Sequence, residues 1–125
     1  MDRKYILTSL AYAILGMSLG IYMAATNNHG EMVAHAHIML AGFVVSFIYG
    51  LCHKLWISGG RNALASTQFY VHQSGVAVMS GGLFLLYGNY IAHESLEKIL
   101  AASSVAVLVG MILMTVLILR SHRSA

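Results

Sequence analysis

The residues best suited to chemistry are two histidines two positions apart, His35 and His37, near the start of a long apolar stretch. On an α-helix, side chains with this spacing point about 200° away from each other. The two imidazoles therefore cannot share one small metal ion, but they can face separate sites on opposite sides of a helix. An unpaired imidazole is unfavourable in lipid, and iron coordination compensates because neutral imidazole is a good haem ligand. The pair favours axial ligation of haem iron; the alternative is two hydrogen-bonded helix histidines.

A third histidine, His72, lies inside another apolar stretch, about two turns from its start. An ionisable side chain within a membrane is a functional candidate by default. The alternative is a neutral histidine that is hydrogen-bonded to a neighbouring helix, with Gln73 and Ser74 as further polar contacts. His72 is therefore a weaker candidate than the pair.

Two more histidines, His29 and His93, lie in or next to predicted loops on the same side of the membrane. Together they would hold a metal ion, with Glu31 or Glu94 as a further ligand. Two loop histidines indicate this only weakly, and solvated loop residues are the favoured interpretation. Both are kept as candidate metal ligands.

The remaining chemically active side chains have simpler interpretations. His53 adjoins Lys54 at a predicted helix end, so its polar tip is expected to reach the lipid headgroups. His122 lies in the C-terminal tail, where no role is indicated. Cys52 is the only cysteine, which excludes an internal disulfide and favours apolar packing.

The elements that carry these residues follow from hydropathy. Hydrophobic residues make up 58% of the 125 residues and charged residues only 9%, too little charge for a soluble domain. Four stretches lack Asp, Glu, Lys and Arg: Tyr5–Ala25, Met32–Leu51, Ala63–Ala92 and Ile99–Leu119. A spanning helix needs about 20 such residues, and helices satisfy their own backbone polar groups in lipid. The prediction is one all-α domain over residues 1–125, with transmembrane helices near 5–25, 32–56, 63–92 and 97–120.

Short predicted loops, including Ser58–Asn62 with Gly59 and Gly60 as its turn, make sequential helices antiparallel neighbours in an up-down bundle. If the first helix runs outward, Lys98 is the only basic residue on the outer side. The inner side then carries Arg3, Lys4, Lys54, Arg61, Arg120 and Arg123. This asymmetry predicts a multi-pass protein of the inner (plasma) membrane with both termini cytoplasmic. The basic residues anchor the chain in the membrane and need no nucleic-acid partner.

The second helix also resembles a known family. The segment 33–40, Val-Ala-His-Ala-His-Ile-Met-Leu, followed by 50–56, Gly-Leu-Cys-His-Lys-Leu-Trp, is similar to one helix of the catalytic subunit of haem-copper oxidases. In that family the first histidine of the pair ligates the oxygen-binding haem and the second ligates the low-spin haem. The whole chain most resembles short four-helix proteins described as cytochrome c oxidase subunit I-like. The resemblance implies that His35 and His37 are axial haem ligands.

The resemblance also implies an assembly. The family's catalytic subunit has twelve helices in three four-helix arcs, and three copies of this chain supply the same number. A closed ring needs a head-to-tail interface, which cyclic symmetry provides. In such a homotrimer, His35 of one chain would face His37 of the next. Each interface would hold one haem b, which corresponds to one haem per chain.

The chain departs from the family where copper is concerned. It has no proline and no adjacent histidines, so the family's copper-binding motifs are absent. Copper is not expected, and neither is reduction of oxygen to water. The tyrosine and lysine arrangements used for proton delivery are also missing; Tyr70 and Tyr87 are better interpreted as interfacial or packing aromatics.

Three functions remain open. The leading one is a membrane b-type haem protein that transfers electrons, with quinol or a redox protein as partner, and without enzyme activity of its own. The second is a haem-based gas binder or enzyme in which one histidine ligates iron and a position stays open. The third is a non-haem accessory protein that binds copper or zinc through His29, His35, His37 and His93.

Overall fold

The computed structural model describes residues 1–57 and 62–121, and in these ranges the chain forms four long helices. They are α1 (Asp2–Thr26), α2 (Met32–Leu55), α3 (Ala63–Tyr87) and α4 (His93–Arg120). All four are long and apolar enough to cross a membrane, which confirms the predicted all-α, multi-pass architecture. The predicted turn at Gly59 and Gly60 lies outside the described residues, as do Arg61, His122 and Arg123.

Two helix boundaries differ from the sequence-based prediction. Helix α3 ends at Tyr87 instead of residue 92, and α4 begins at His93 instead of residue 97. Asn89 has a φ of 60°, a left-handed conformation that ends a helix and that asparagine tolerates well. Ala92 is extended and precedes the first turn of α4. Apolar composition alone does not predict such a turn.

Close packing between helices follows chain order, α1 with α2, α2 with α3 and α3 with α4. Glycines allow the close approaches, as is usual for helices that associate in lipid. A Cβ on Gly75 would lie 3.0 Å from the Ala106 Cβ on α4, and one on Gly50 would lie 2.9 Å from Ile6 on α1. The end that carries Asp2 and Arg120 is called the terminal end here, and the opposite end the distal end.

The second helix is not a regular α-helix throughout. Residues Ile38–Val44 form a π-helical segment, which begins directly after His37. Within it, Gly42 lies so close to α1 that an added Cβ would be 2.6 Å from the Tyr12 ring. π-Helical segments are rare and occur frequently at functional sites. Hydropathy has no signal for this one, and the sequence-based prediction did not include it.

The best-packed part of the bundle lies in its terminal half. Tyr5 is fully buried there and makes edge contacts with the rings of Tyr49 and Phe69, with centroids 5.6 and 4.8 Å away. Met114 from α4 belongs to the same cluster. So does the buried Cys52, as its predicted packing role requires.

Candidate functional site

The His35 ring is hydrogen-bonded to α1 and packs closely against this helix at Gly20, which has no side chain. Its Nδ1 lies 2.8 Å from the Gly16 carbonyl oxygen. A carbonyl oxygen only accepts hydrogen bonds, so Nδ1 is the donor, and the neutral ring then has its lone pair on Nε2. Gly20, one turn further along α1, leaves room for the ring: a Cβ there would be 3.1 Å from the His35 Cε1. Helix α1 thereby selects both the tautomer and the position of this imidazole.

His37 is held in the same tautomer by its own helix. Its Nδ1 lies 2.8 Å from the Val33 carbonyl oxygen, so this nitrogen is also the donor. Among the described residues, the Nε2 atoms of His35 and His37 have no hydrogen-bond partner. Each ring therefore has one nitrogen hydrogen-bonded to the backbone and the other available to a ligand.

The two histidines border the same exposed stripe of α2. Met32, Ala36 and Leu40 are exposed, whereas His35 and His37 are half-buried. Ala36 lies about 100° from each histidine around the helix, so the smallest side chain of the stripe sits between the two rings. An approaching group would meet Ala36 first, with an imidazole on either side of it.

His72 lies in a different environment, in the interior of the bundle. Its side chain is fully buried, its Nε2 lies 3.1 Å from the Ser46 Oγ on α2, and its ring packs against the Tyr49 ring at 4.9 Å. Gln73 donates to the same Ser46 hydroxyl over 3.3 Å. Ser74 instead bonds the Tyr70 carbonyl on its own helix. His72 is thus hydrogen-bonded to a neighbouring helix, the alternative that the sequence left open.

A buried polar network surrounds His72, and sequence reasoning missed most of it. Tyr5 donates to the Gln68 side-chain oxygen, and the Gln68 amide donates to the Gly110 carbonyl on α4 over 3.0 Å. Gln73 also donates to Thr8 on α1 over 3.3 Å. The signal that was available is the presence of amides inside apolar stretches, where each needs a partner.

The interfacial interpretation of His53 is wrong. Its side chain is 8% exposed and stacks on the Tyr5 ring with centroids 5.7 Å apart. The physical reason is helical spacing: His53 lies four residues after Tyr49, so it shares the face of α2 that packs into the aromatic cluster. Lys54, one position on, is exposed.

His29 and His93, the weaker candidate metal ligands, are surface residues at the distal end of the bundle. His29 and His93 are both exposed, as the solvated-loop interpretation expects. In residues 1–57 and 62–121, no three histidine, cysteine, aspartate or glutamate side chains are close enough to hold a metal ion. Glu94 is exposed, whereas Glu31 turns toward Gly88.

Comparison of the chain with protein-family models, with curated proteins and with solved structures gave no match. The similarity of the His35 segment to haem-copper oxidases therefore stays a prediction.

Proposed function

We propose that this chain is a membrane b-type haem protein that transfers electrons, with His35 and His37 as axial ligands of haem iron. The observation that carries the proposal is the shared tautomer of the two rings. Each Nδ1 donates to a backbone carbonyl, from Gly16 for one ring and from Val33 for the other. Histidines that ligate metals nearly always donate their other ring N–H in this way, which fixes the ring and raises its basicity.

The same positions favour a site between subunits. Because the rings diverge around α2 and both border its exposed stripe, two such helices from different chains could each supply one ligand to the same iron. A bis-histidine haem would then take His35 from one chain and His37 from the next, in a head-to-tail ring. Three chains close such a ring with three equivalent interfaces, which is the homotrimer that the oxidase resemblance implies.

The haem is the group that would carry the electron, and the protein residues determine its surroundings. Apolar side chains beside the pair, Met39 and Leu40 among them, would exclude water from the iron and tune its potential. With two imidazoles on one iron no position stays open for oxygen. Electron transfer, and not oxygen chemistry, is the function that this ligand set supports.

The first test is the visible spectrum of detergent-purified protein, oxidised and reduced. We expect the sharp reduced bands of a bis-imidazole haem, one haem per chain, and loss of these bands in His35→Ala and in His37→Ala. His29→Ala is the matched control, because His29 is an exposed loop residue; its spectrum should not change. Retention of the bands in both helix variants would contradict the assignment.

A complementation experiment tests the intersubunit arrangement. His35→Ala and His37→Ala chains are each unable to form a site with themselves, but in a mixed ring one interface pairs an intact His35 with an intact His37. Equal co-expression should therefore restore about a quarter of the wild-type haem, since three in four random trimers are mixed and each has one intact interface of three. A site within one chain predicts no recovery.

Two outcomes would redirect the proposal. Rapid binding of carbon monoxide to the reduced protein would indicate an open iron position and favour the gas-binding function. Purified protein without haem but with stoichiometric copper or zinc would favour the accessory function.

A further inference from the structure

A cleft at the distal end of the bundle has the properties of a ligand site. It encloses about 370 Å³ between the ends of α1 and α3 and the loops that follow them, within the size range of small-molecule pockets. Four of its ten lining residues are aromatic: Tyr22, Phe84, Tyr87 and Tyr90. Among the described residues, no lysine, arginine or histidine lines it, so it is not suited to phosphate or to another anion.

One polar side chain in this cleft lacks a partner. The Glu31 Oε1 atom is buried without a hydrogen-bond partner among the described residues. Leaving a buried polar atom unpaired is unfavourable, so each such atom calls for an explanation. Burial raises the pKa of the Glu31 carboxyl above its usual value. An unpaired carboxyl oxygen can accept a hydrogen bond from a hydroxyl group of a ligand.

The cleft is built to admit the Glu31 carboxyl. Gly88 closes α3, and a Cβ at this position would lie 2.7 Å from the Glu31 Oε2 and 2.4 Å from the Tyr90 ring. The missing side chain of Gly88 thus makes room for both groups. Tyr90 in turn stacks on Phe84 with centroids 5.9 Å apart, which forms a flat aromatic wall beside the carboxyl.

We propose that this distal cleft binds the ring of a membrane quinol or quinone, with Glu31 as the hydrogen-bond partner of a ring oxygen. A flat ring with oxygen substituents fits an aromatic wall beside a carboxyl oxygen that has no hydrogen-bond partner of its own among the described residues. Tyr22, Tyr87 and Tyr90 are exposed near helix ends, where tyrosine is typical of the membrane boundary, so a lipid-borne ligand can enter.

The location of the cleft links it to the histidine pair. The His35 backbone N–H donates to the Glu31 carbonyl oxygen over 2.9 Å, so Glu31 and His35 are one turn apart on α2. Binding depends only on the cleft. The role of the quinol as electron donor rests on the proposed function.

The test is photolabelling of detergent-purified protein with an azidoquinone that carries a short isoprenoid tail, with decylubiquinone as competitor. We expect a saturable label within residues 19–31 or 84–90. Glu31→Leu should weaken binding about tenfold, the effect of one lost hydrogen bond, whereas Glu97→Leu, an exposed control, should not. Gly88→Ala should also weaken it. Gly81→Ala should not, because a Cβ at Gly81 meets nothing within 4 Å.

The outcomes separate this proposal from the haem assignment. Three outcomes would overturn the quinone site. They are a label outside both segments, equal quinone binding by Glu31→Leu and Glu97→Leu, and displacement of the label by tetramethylammonium, which would indicate a cation site instead. His35→Ala should lose the haem spectrum and keep the quinone label. Coloured wild-type protein that does not bind the quinone overturns the cleft alone. Colourless wild-type protein that binds it overturns the haem assignment alone.

Discussion

The distal and terminal halves of the bundle use histidine in opposite ways. In the distal half, His35 and His37 each donate a hydrogen bond from Nδ1 to a backbone carbonyl oxygen, and both border the exposed stripe of α2. In the terminal half, His72 is fully buried and pairs with Ser46, and His53 stacks on Tyr5. Only the first two imidazoles combine a fixed ring with a route to a large ligand.

The difference illustrates two ways in which a histidine can be accommodated within a membrane-spanning bundle. A neutral imidazole can be packed inside the bundle, as His72 is, with its Nε2 near the Ser46 hydroxyl and its ring against Tyr49, while its Nδ1 is buried without a hydrogen-bond partner among the described residues. Such a residue contributes to packing, and its removal leaves a cavity. Alternatively, the ring lies beside an exposed face, with one nitrogen hydrogen-bonded to the backbone and the other accessible to a ligand, as we propose for His35 and His37. In that case removal affects binding more than folding.

The largest expected effect is on stability, at His72. His72→Ala removes a fully buried ring and leaves the Ser46 hydroxyl with one partner fewer, so the free energy of unfolding should fall by about 3 kcal/mol. Unfolding by denaturing detergent, followed by circular dichroism, measures this change. Val78→Ala on the exposed side of α3 is the control and should cost far less. Loss of haem from folded His72→Ala protein would contradict the distinction between a packing histidine in the terminal half and ligand-binding histidines in the distal half.

An intermediate effect is expected at Gly20, which makes room for His35. A Cβ there would be 3.1 Å from the His35 Cε1, so Gly20→Ala should displace the ring and weaken haem affinity about tenfold, as is usual when a ligand's support is disturbed. Haem titration of the apoprotein measures the affinity. Gly81→Ala adds the same methyl group where nothing lies within 4 Å. If both variants bound haem equally well, the contact between α1 and His35 would have no part in the site.

The smallest expected effect is at Ser46, which joins His72 and Gln73. Hydrogen bonds between transmembrane helices contribute about 0.6 kcal/mol each on average, so Ser46→Ala should destabilise the bundle by about 1 kcal/mol and leave the haem spectrum intact. Ser74→Ala is the matched control, since its exposed hydroxyl bonds only carbonyls of its own helix. Equal unfolding curves for the two variants would show that the buried network adds no stability.

Much of the fold was predictable because it depends on local composition. A helix must satisfy its backbone within lipid, so uncharged stretches of sufficient length specify the four spans without reference to one another. The divergence of His35 and His37 also follows from the helix repeat alone. Hydropathy missed the early end of α3 at Tyr87, because Tyr90 to Ala92 are apolar enough to continue a helix.

The tertiary structure decided which nitrogens remain available. The tautomer of His35 depends on the Gly16 carbonyl, 19 positions away, and the burial of His53 depends on the Tyr5 ring. The π-helical segment after His37 and the meeting of Glu31 with Gly88 are further contacts of this kind. Hydropathy and helical periodicity are properties of one segment, whereas these contacts join segments that are far apart in sequence. Sequence alone therefore identified the helix that carries the candidate ligands, and the packing of α1 against α2 determined how their rings are held.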